Sequence, residues 1–135
     1  MTDYYIYLHS MVLGFMALFV LVIAPSIFQS LEHTEAGILL RRLFPRMFLY
    51  GMVLTLAAAG VAILSAQYNL AIISSLSAAG FGINAYIIAP SINRARDELE
   101  NEETASTRKF ALLHTASVSI FAIQFLASIV CLTII

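Results

Sequence analysis

The chain has 135 residues, of which 61% are apolar and 11% are charged, and its mean hydropathy is +0.91. This composition leaves too little polar surface for a water-soluble domain, so it indicates an integral membrane protein. The net charge of −1 argues against a nucleic-acid partner, because phosphate binding requires a clustered basic surface. A single cysteine, Cys131, excludes a disulfide within the chain.

Four apolar stretches are each long enough to cross a bilayer as a helix, which needs roughly 20 residues. They cover residues 4–28, 47–66, 70–92 and 110–134 and are called spans one to four. Span one has no basic segment before it, so we expect a membrane span and not a cleaved signal peptide. The four stretches together predict an all-α fold, a transmembrane four-helix bundle that forms a single domain over residues 1–135.

The pentapeptide Ile-Ala-Pro-Ser-Ile occurs at residues 23–27, near the end of span one, and again at 88–92, at the end of span three. The 65-residue offset relates two parallel halves of two spans each. Either a duplication of one half or the convergence of helix ends on similar residues explains the repeat. Pro25 and Pro90 each remove a backbone N–H and crowd the carbonyl four residues earlier, so we predict helix kinks at both positions.

The segment 35–44 between spans one and two carries apolar residues at helical spacing with arginines beside them. Pro45 limits it, because the residue before a proline avoids the helical region. We predict a short interfacial helix on the membrane surface, with Arg41, Arg42 and Arg46 at anionic lipid headgroups. The alternative is that these arginines are simple stop-transfer charges.

All seven Lys and Arg residues lie in the two loops that follow spans one and three. The positive-inside rule places both loops in the cytoplasm and both termini on the other side, as in a multi-pass protein of the bacterial inner membrane. The second loop, residues 93–109, has five carboxylates without the ligand spacing of a calcium loop, so it indicates a solvated linker. We expect span three to continue past Pro90 as a helix towards Glu100.

Few strongly polar side chains lie inside the spans: His9, Asn84, His114 and Gln124. At about 1.5 Å per residue, Asn84 and His114 share one level, and the other two share a second level near the opposite face. We predict two hydrogen-bonded layers that clamp the bundle. The alternative makes His114 or His9 a ligand of haem b or copper. The two histidines lie roughly 15 Å apart along the membrane normal, too far to hold one iron within one protomer.

No catalytic residue and no clustered metal site is predicted, because the chain has no nucleophile with its base, no nucleotide-binding glycine loop and no His-Glu-x-x-His helix. Glycines and alanines in spans two and three predict a close helix pair. The first hypothesis is a non-catalytic membrane protein without a cofactor, transport-related or an accessory subunit, that forms homo-oligomers or joins a larger complex. The second is a haem- or metal-binding redox protein with His114 as ligand.

Three segments resemble, in order and spacing, the four-span family of transmembrane-protein-205-like proteins and their bacterial relatives. They are Arg-Arg-Leu-Phe-Pro-Arg-Met-Phe at 41–48, the stretch 84–91, and Phe-Ala-Leu-Leu-His-Thr-Ala-Ser at 110–117. The resemblance implies a small bundle without an established reaction, linked in eukaryotes to drug and metal-drug resistance and to vesicle traffic. A looser likeness to four-span proteins of copper handling and haem synthesis implies a cofactor. The chain lacks tryptophan and the long insertion that the eukaryotic proteins carry before span four.

Overall fold

The computed structural model describes residues 2–101 and 107–135, and these are helical almost throughout. The linker residues Glu102 and Glu103 lie outside the described residues. Two short segments are π-helical, and the other elements are α-helices. In chain order the elements are α1 (Thr2–Leu18), a first π segment (Phe19–Ile23), α2 (Ala24–Ser30), α3 (His33–Leu64), α4 (Tyr68–Ile83), a second π segment (Asn84–Ile88), α5 (Ala89–Asn101) and α6 (Thr107–Thr133).

These elements form four long helices, and the predicted all-α four-helix fold is confirmed. Span one lies in α1, the first π segment and α2; span two lies in the second half of α3; span three lies in α4, the second π segment and the start of α5; and span four lies in α6. All four are long and apolar enough to cross a membrane. The chain is a multi-pass membrane protein by this criterion. The predicted helical continuation of span three past Pro90 is confirmed, since α5 extends to Asn101.

The predicted separate interfacial helix is wrong, because α3 runs without interruption from His33 through Pro45 to Leu64. Its first turns pack against the end of span one, where Ala36 and Leu40 are buried together with Phe19 and Ile27. A proline within a helix removes one hydrogen bond. The apolar burial on both sides of that position offsets the loss and keeps the helix continuous.

Both copies of the pentapeptide carry the same backbone irregularity. The N–H of Ala24 donates to the carbonyl of Phe19, and the N–H of Ala89 donates to the carbonyl of Asn84, so each helix makes a wider π turn directly before its Ala-Pro pair. The serine after each proline donates to a carbonyl four residues earlier: Ser26 to Val22 at 2.6 Å and Ser91 to Ile87 at 2.7 Å. The positions predicted to kink therefore depart from α geometry in the same way in both halves.

Buried residues follow one another at alternating spacings of four and three along α1 and α6. This period of 3.5 residues is typical of helices in left-handed bundles. The buried positions are Tyr5, His9, Val12, Met16 and Phe19 in span one, and Ser117, Gln124, Ser128 and Cys131 in span four. The partly buried Phe121 lies at the remaining position of the second series.

The predicted close contact between spans two and three occurs at Gly51. A Cβ atom on Gly51 would lie 2.7 Å from ring atoms of Phe81, which is fully buried. Only glycine allows α3 and α4 to approach with this ring between them. Gly82 faces the sulfur of Met52 in the same way, whereas Gly80 faces Gln124 of span four.

The two ends of the bundle differ in composition. The end formed by the α2–α3 connection and by α5 with the start of α6 holds the arginines and is called the charged end. The other, called the turn end, holds the connection from α3 to α4. There Ala66 has a φ of +56°, and the N–H of Gln67 donates to the carbonyl of Ala62 at 2.8 Å. This left-handed residue closes α3 in the manner usually provided by glycine.

Candidate functional site

A group of buried polar side chains joins three spans near the turn end. It is called the histidine cluster and consists of Tyr5, His9, Ser74, Ser128 and Cys131, each between 0% and 2% exposed. The imidazole of His9 lies between two hydroxyls, with Nε2 2.9 Å from Ser74 Oγ and Nδ1 3.1 Å from Ser128 Oγ. A neutral imidazole donates through one nitrogen and accepts through the other, so both of its hydrogen-bonding atoms are occupied.

The tyrosine and the cysteine complete the histidine cluster. The hydroxyl of Tyr5 lies 3.0 Å from Ser74 Oγ, and the ring centroids of Tyr5 and His9 are 4.7 Å apart. Cys131 is a free thiol that packs in the same buried cluster as Tyr5. The result is a hydrogen-bonded chain from Tyr5 through Ser74 and His9 to Ser128, which ties α1, α4 and α6 together.

The contacts of the histidine cluster follow the offset of the sequence repeat. His9 and Ser74 are 65 residues apart, and so are Tyr5 and Leu70, whose carbonyl lies 3.4 Å from the tyrosine hydroxyl. This is the spacing between the two pentapeptides. Equivalent positions of spans one and three therefore meet through side chains across the bundle, as expected for parallel halves related by an axis along the membrane normal.

A line of polar contacts continues from the histidine cluster along the interface of spans three and four. It is called the polar seam. Gln124 donates through Nε2 to the carbonyl of Ser77 at 2.8 Å, and Asn84 donates through Nδ2 to the carbonyl of Ser117 at 3.3 Å. All four described residues of α6 that are buried are polar or carry a thiol. Span four therefore turns a polar face inward and an apolar face outward.

Two amide oxygens of the polar seam, Asn84 Oδ1 and Gln124 Oε1, are buried and have no hydrogen-bond partner among the described residues. Their amide groups bond to span four at Ser117 and to span three at Ser77, seven residues before Asn84. Seven residues correspond to about 10 Å along a helix, so the two oxygens lie at different levels. They do not converge on one ligand.

The predicted polar layers are corrected in two respects. His9 and Gln124 are both buried, but His9 bonds to two serines and Gln124 to a backbone carbonyl, so they do not pair. Asn84 is buried, whereas His114 is exposed and its ring stacks on Phe110, with centroids 6.2 Å apart. Among the described residues, α2 packs against α3 and makes no contact with α6, so α2 does not cover the side of α6 that carries His114.

Sequence reasoning missed the two serines that bond to His9, together with Tyr5 and Cys131. Two signals were present in the sequence. Ser74 lies one repeat length after His9, and the polar residues of span four recur at the bundle spacing. A serine in a membrane helix does not by itself indicate a contact between helices, because its hydroxyl readily donates to the carbonyl four residues earlier, as Ser26 and Ser91 do here.

Ionised side chains join the helices at the charged end. Arg41 of α3 donates to Asp97 of α5, and Lys109 of α6 lies 3.2 Å from a carboxylate oxygen of Glu98. The guanidinium of Arg96 lies 5.6 Å from the centre of the Phe110 ring. The hydrogen bond between Arg41 and Asp97 lowers the pKa of the Asp97 carboxyl and raises the pKa of Arg41.

The three arginines predicted to meet lipid headgroups do not have equal surroundings. Arg41 is partly buried and paired with Asp97. Arg42 and Arg46 are exposed, and within residues 2–101 and 107–135 neither has an ion-pair partner. A groove of about 150 Å³ opens beside Arg46 between α3 and span three.

Space inside the bundle is small. A cavity of about 10 Å³ beside Tyr5 is the size of a single water molecule. The part of the chain that the structure describes contains no group of three or more His, Cys, Asp or Glu side chains that could hold a metal ion. Chemically, the histidine cluster and the polar seam form a network of neutral hydrogen bonds that holds helices together.

Comparison with known proteins gives a family. A family model described as "Domain of unknown function (DUF4149)" matches residues 7–101, more than half of the chain. The matched region includes both pentapeptides, His9, Ser74 and Asn84. Searches of curated proteins and of solved structures gave no match. The chain therefore belongs to the DUF4149 family.

Proposed function

We propose that this protein is a small non-catalytic membrane protein, transport-related or accessory, that acts as a subunit of a membrane assembly. The observation that carries the proposal is the engagement of His9, whose two ring nitrogens are both held by serines. An imidazole fixed in this way serves the bundle and has no free atom for a substrate or a metal. We therefore infer that the protein acts through its outer surfaces.

The resemblance to transmembrane-protein-205-like proteins supports the proposal, because the resemblance implies a small bundle without an established reaction. We also propose that the charged end faces the cytoplasm of a bacterial cell and that both termini lie on the opposite side. The support is the positive-inside rule, since every Lys and Arg lies near that end.

Spans one and four are the proposed contact surfaces for a second copy or a larger complex. Only 22% of the apolar stretch in each of these spans is buried, compared with 39% and 44% in spans two and three. Their outward faces are therefore open to neighbouring helices. Because small residues already pair α3 with α4 inside the molecule, spans one and four have the most surface left for assembly.

Cross-linking in native membranes tests the assembly. A variant with Cys131→Ser and Ile123→Cys places one thiol on the exposed face of span four, and the matched control places it at Leu56 on the exposed face of span two. We expect a cross-linked species at position 123 and none at position 56. Monomers alone at both positions, together with a monomeric mass in native mass spectrometry without partners, would overturn the proposal.

The redox alternative is supported by one observation. His114 is exposed, and its ring nitrogens make no hydrogen bond to a described residue, so they are free to bind an iron or copper ion shared with another subunit. An optical spectrum and metal analysis of gently purified protein decide between the two functions. We expect neither a Soret band nor bound metal. A Soret band that disappears in His114→Ala would establish the redox function instead.

A further inference from the structure

The groove at the charged end combines an apolar floor with a cationic rim. Its lining residues are Pro45, Arg46 and Leu49 of α3, with Ala85 and Tyr86 of the second π segment. Apart from Arg46, these lining residues offer mainly apolar surface. A groove of about 150 Å³ has room for part of an extended hydrocarbon chain.

The positive charge lies on one side of this groove. Residues 42, 45, 46 and 49 are spaced at three, four and seven residues, so they share one face of α3. Arg46 lines the groove, Arg42 lies one turn beyond it on the same face of α3, and neither has an ion-pair partner in the described part of the chain. Arg41 points its charge to Asp97 and does not contribute.

The order of groups along the groove matches the order of groups in a phospholipid. Arg46 precedes the predicted start of span two, whereas Leu49, Ala85 and Tyr86 lie within predicted spans. Charge thus lies at the membrane surface and apolar side chains lie deeper. Arginine suits phosphate, because its planar guanidinium donates two parallel hydrogen bonds.

We propose that this groove is a binding site for one anionic phospholipid, with an acyl chain along Leu49 and Tyr86 and the phosphate held by Arg42 and Arg46. The site does not depend on the proposed assembly. It also differs from a general attraction of the charged end to the membrane, because it names two of the seven Lys and Arg residues and a particular groove. A zwitterionic lipid binds there more weakly, because its ammonium group offsets the phosphate charge.

Native mass spectrometry of the purified protein with phosphatidylglycerol or phosphatidylcholine measures how many lipids bind and how tightly. We expect one tightly bound phosphatidylglycerol per protomer and a lower affinity for phosphatidylcholine. Arg42→Gln and Arg46→Gln should each lower phosphatidylglycerol affinity about fivefold. The matched control is Arg94→Gln, which removes an equal charge from the exposed side of α5. Equal losses in all three variants would show an unspecific charge effect and overturn the proposal.

A second pair of variants tests the acyl-chain groove. Leu49→Trp enlarges an exposed wall of the groove, and Leu56→Trp makes the same change seven residues further along the same helix face. Leu49→Trp should displace the lipid, and Leu56→Trp should not. Glycerol phosphate, which carries the phosphate without chains, should not compete at equal concentration. Retention of the lipid in Leu49→Trp, or full competition by glycerol phosphate, would contradict the acyl-chain groove.

Discussion

At the turn end, spans one, three and four meet through neutral side chains that are fully buried, with His9 between Ser74 and Ser128. At the charged end, spans two, three and four meet through ionised side chains of which a third to a half is exposed, in the Arg41–Asp97 and Glu98–Lys109 pairs. A buried polar group without a partner is costly, whereas exposed charges are hydrated and screened. The hydrogen bonds at the turn end therefore stabilise the fold more than the ion pairs at the charged end do.

Replacement of His9 by leucine should produce the largest effect. Leucine has a similar volume, but it removes both hydrogen bonds of His9 and leaves Ser128 without this partner, whereas Ser74 keeps the Tyr5 hydroxyl. At about 1 kcal/mol for each hydrogen bond in a membrane bundle, the free energy of unfolding should fall by about 2 kcal/mol. Unfolding in mixed micelles with increasing dodecyl sulfate measures it.

Met11→Leu is the control for His9→Leu, because Met11 lies on the same helix and is 48% exposed. It should leave the unfolding free energy unchanged. If His9→Leu were as stable as this control, the histidine cluster would not be what holds the turn end together.

Replacement of Gln124 by leucine should have less than half that effect. The change removes the hydrogen bond to the Ser77 carbonyl, and it also removes an amide oxygen that has no partner in the described chain. The lost bond lowers the free energy of unfolding by about 1 kcal/mol, and the removal of the unpaired oxygen offsets part of this loss. In the same assay, the double variant with His9→Leu should show additive losses, because the two residues make no common hydrogen bond. A strongly non-additive result would show that the cluster and the seam form one cooperative unit.

Replacement of Ala66 by glycine should stabilise the turn end. Ala66 has a φ of +56°, a left-handed conformation that a Cβ atom disfavours. Glycine removes this strain but gains freedom in the unfolded chain, so the net gain should be about 0.5 kcal/mol. Thermal unfolding followed by circular dichroism measures it, with Ala57→Gly on an exposed turn of α3 as the control of opposite sign. A loss of stability in Ala66→Gly would mean that this turn is not strained.

Length and composition sufficed to predict four spans, because a bilayer requires long apolar helices and leaves few alternatives. The rotation of each helix was not predictable in the same way. Counting residues from a boundary gives the depth of His114, but the side it faces depends on the rotation of α6, and α2 packs on α3 without covering that side.

The interfacial segment shows a second limit of the sequence. Pro45 predicted a helix end from local sterics, yet α3 continues, because Ala36 and Leu40 bury their side chains against the end of span one. Local backbone preferences are overridden where packing on both sides of a proline favours one continuous helix. His9 was identified because a histidine in a membrane span is rare, whereas its two serine partners resembled ordinary helix residues.

Replacement of Arg41 by glutamine should have the smallest effect and should separate the two ends by their response to salt and pH. The pair with Asp97 is partly exposed to solvent, so its contribution is small and should disappear at high ionic strength. Because Arg41 lowers the pKa of Asp97 in the folded protein, the pair stabilises the fold above the ordinary carboxyl pKa, and this is lost as pH falls through the lowered value. The difference between wild type and Arg41→Gln should therefore be present at pH 7 in low salt and absent in 1 M salt.

The effect of His9→Leu should remain in 1 M salt, since neutral hydrogen bonds in a buried site are not screened. Equal salt sensitivity of both variants would remove the distinction between the two ends.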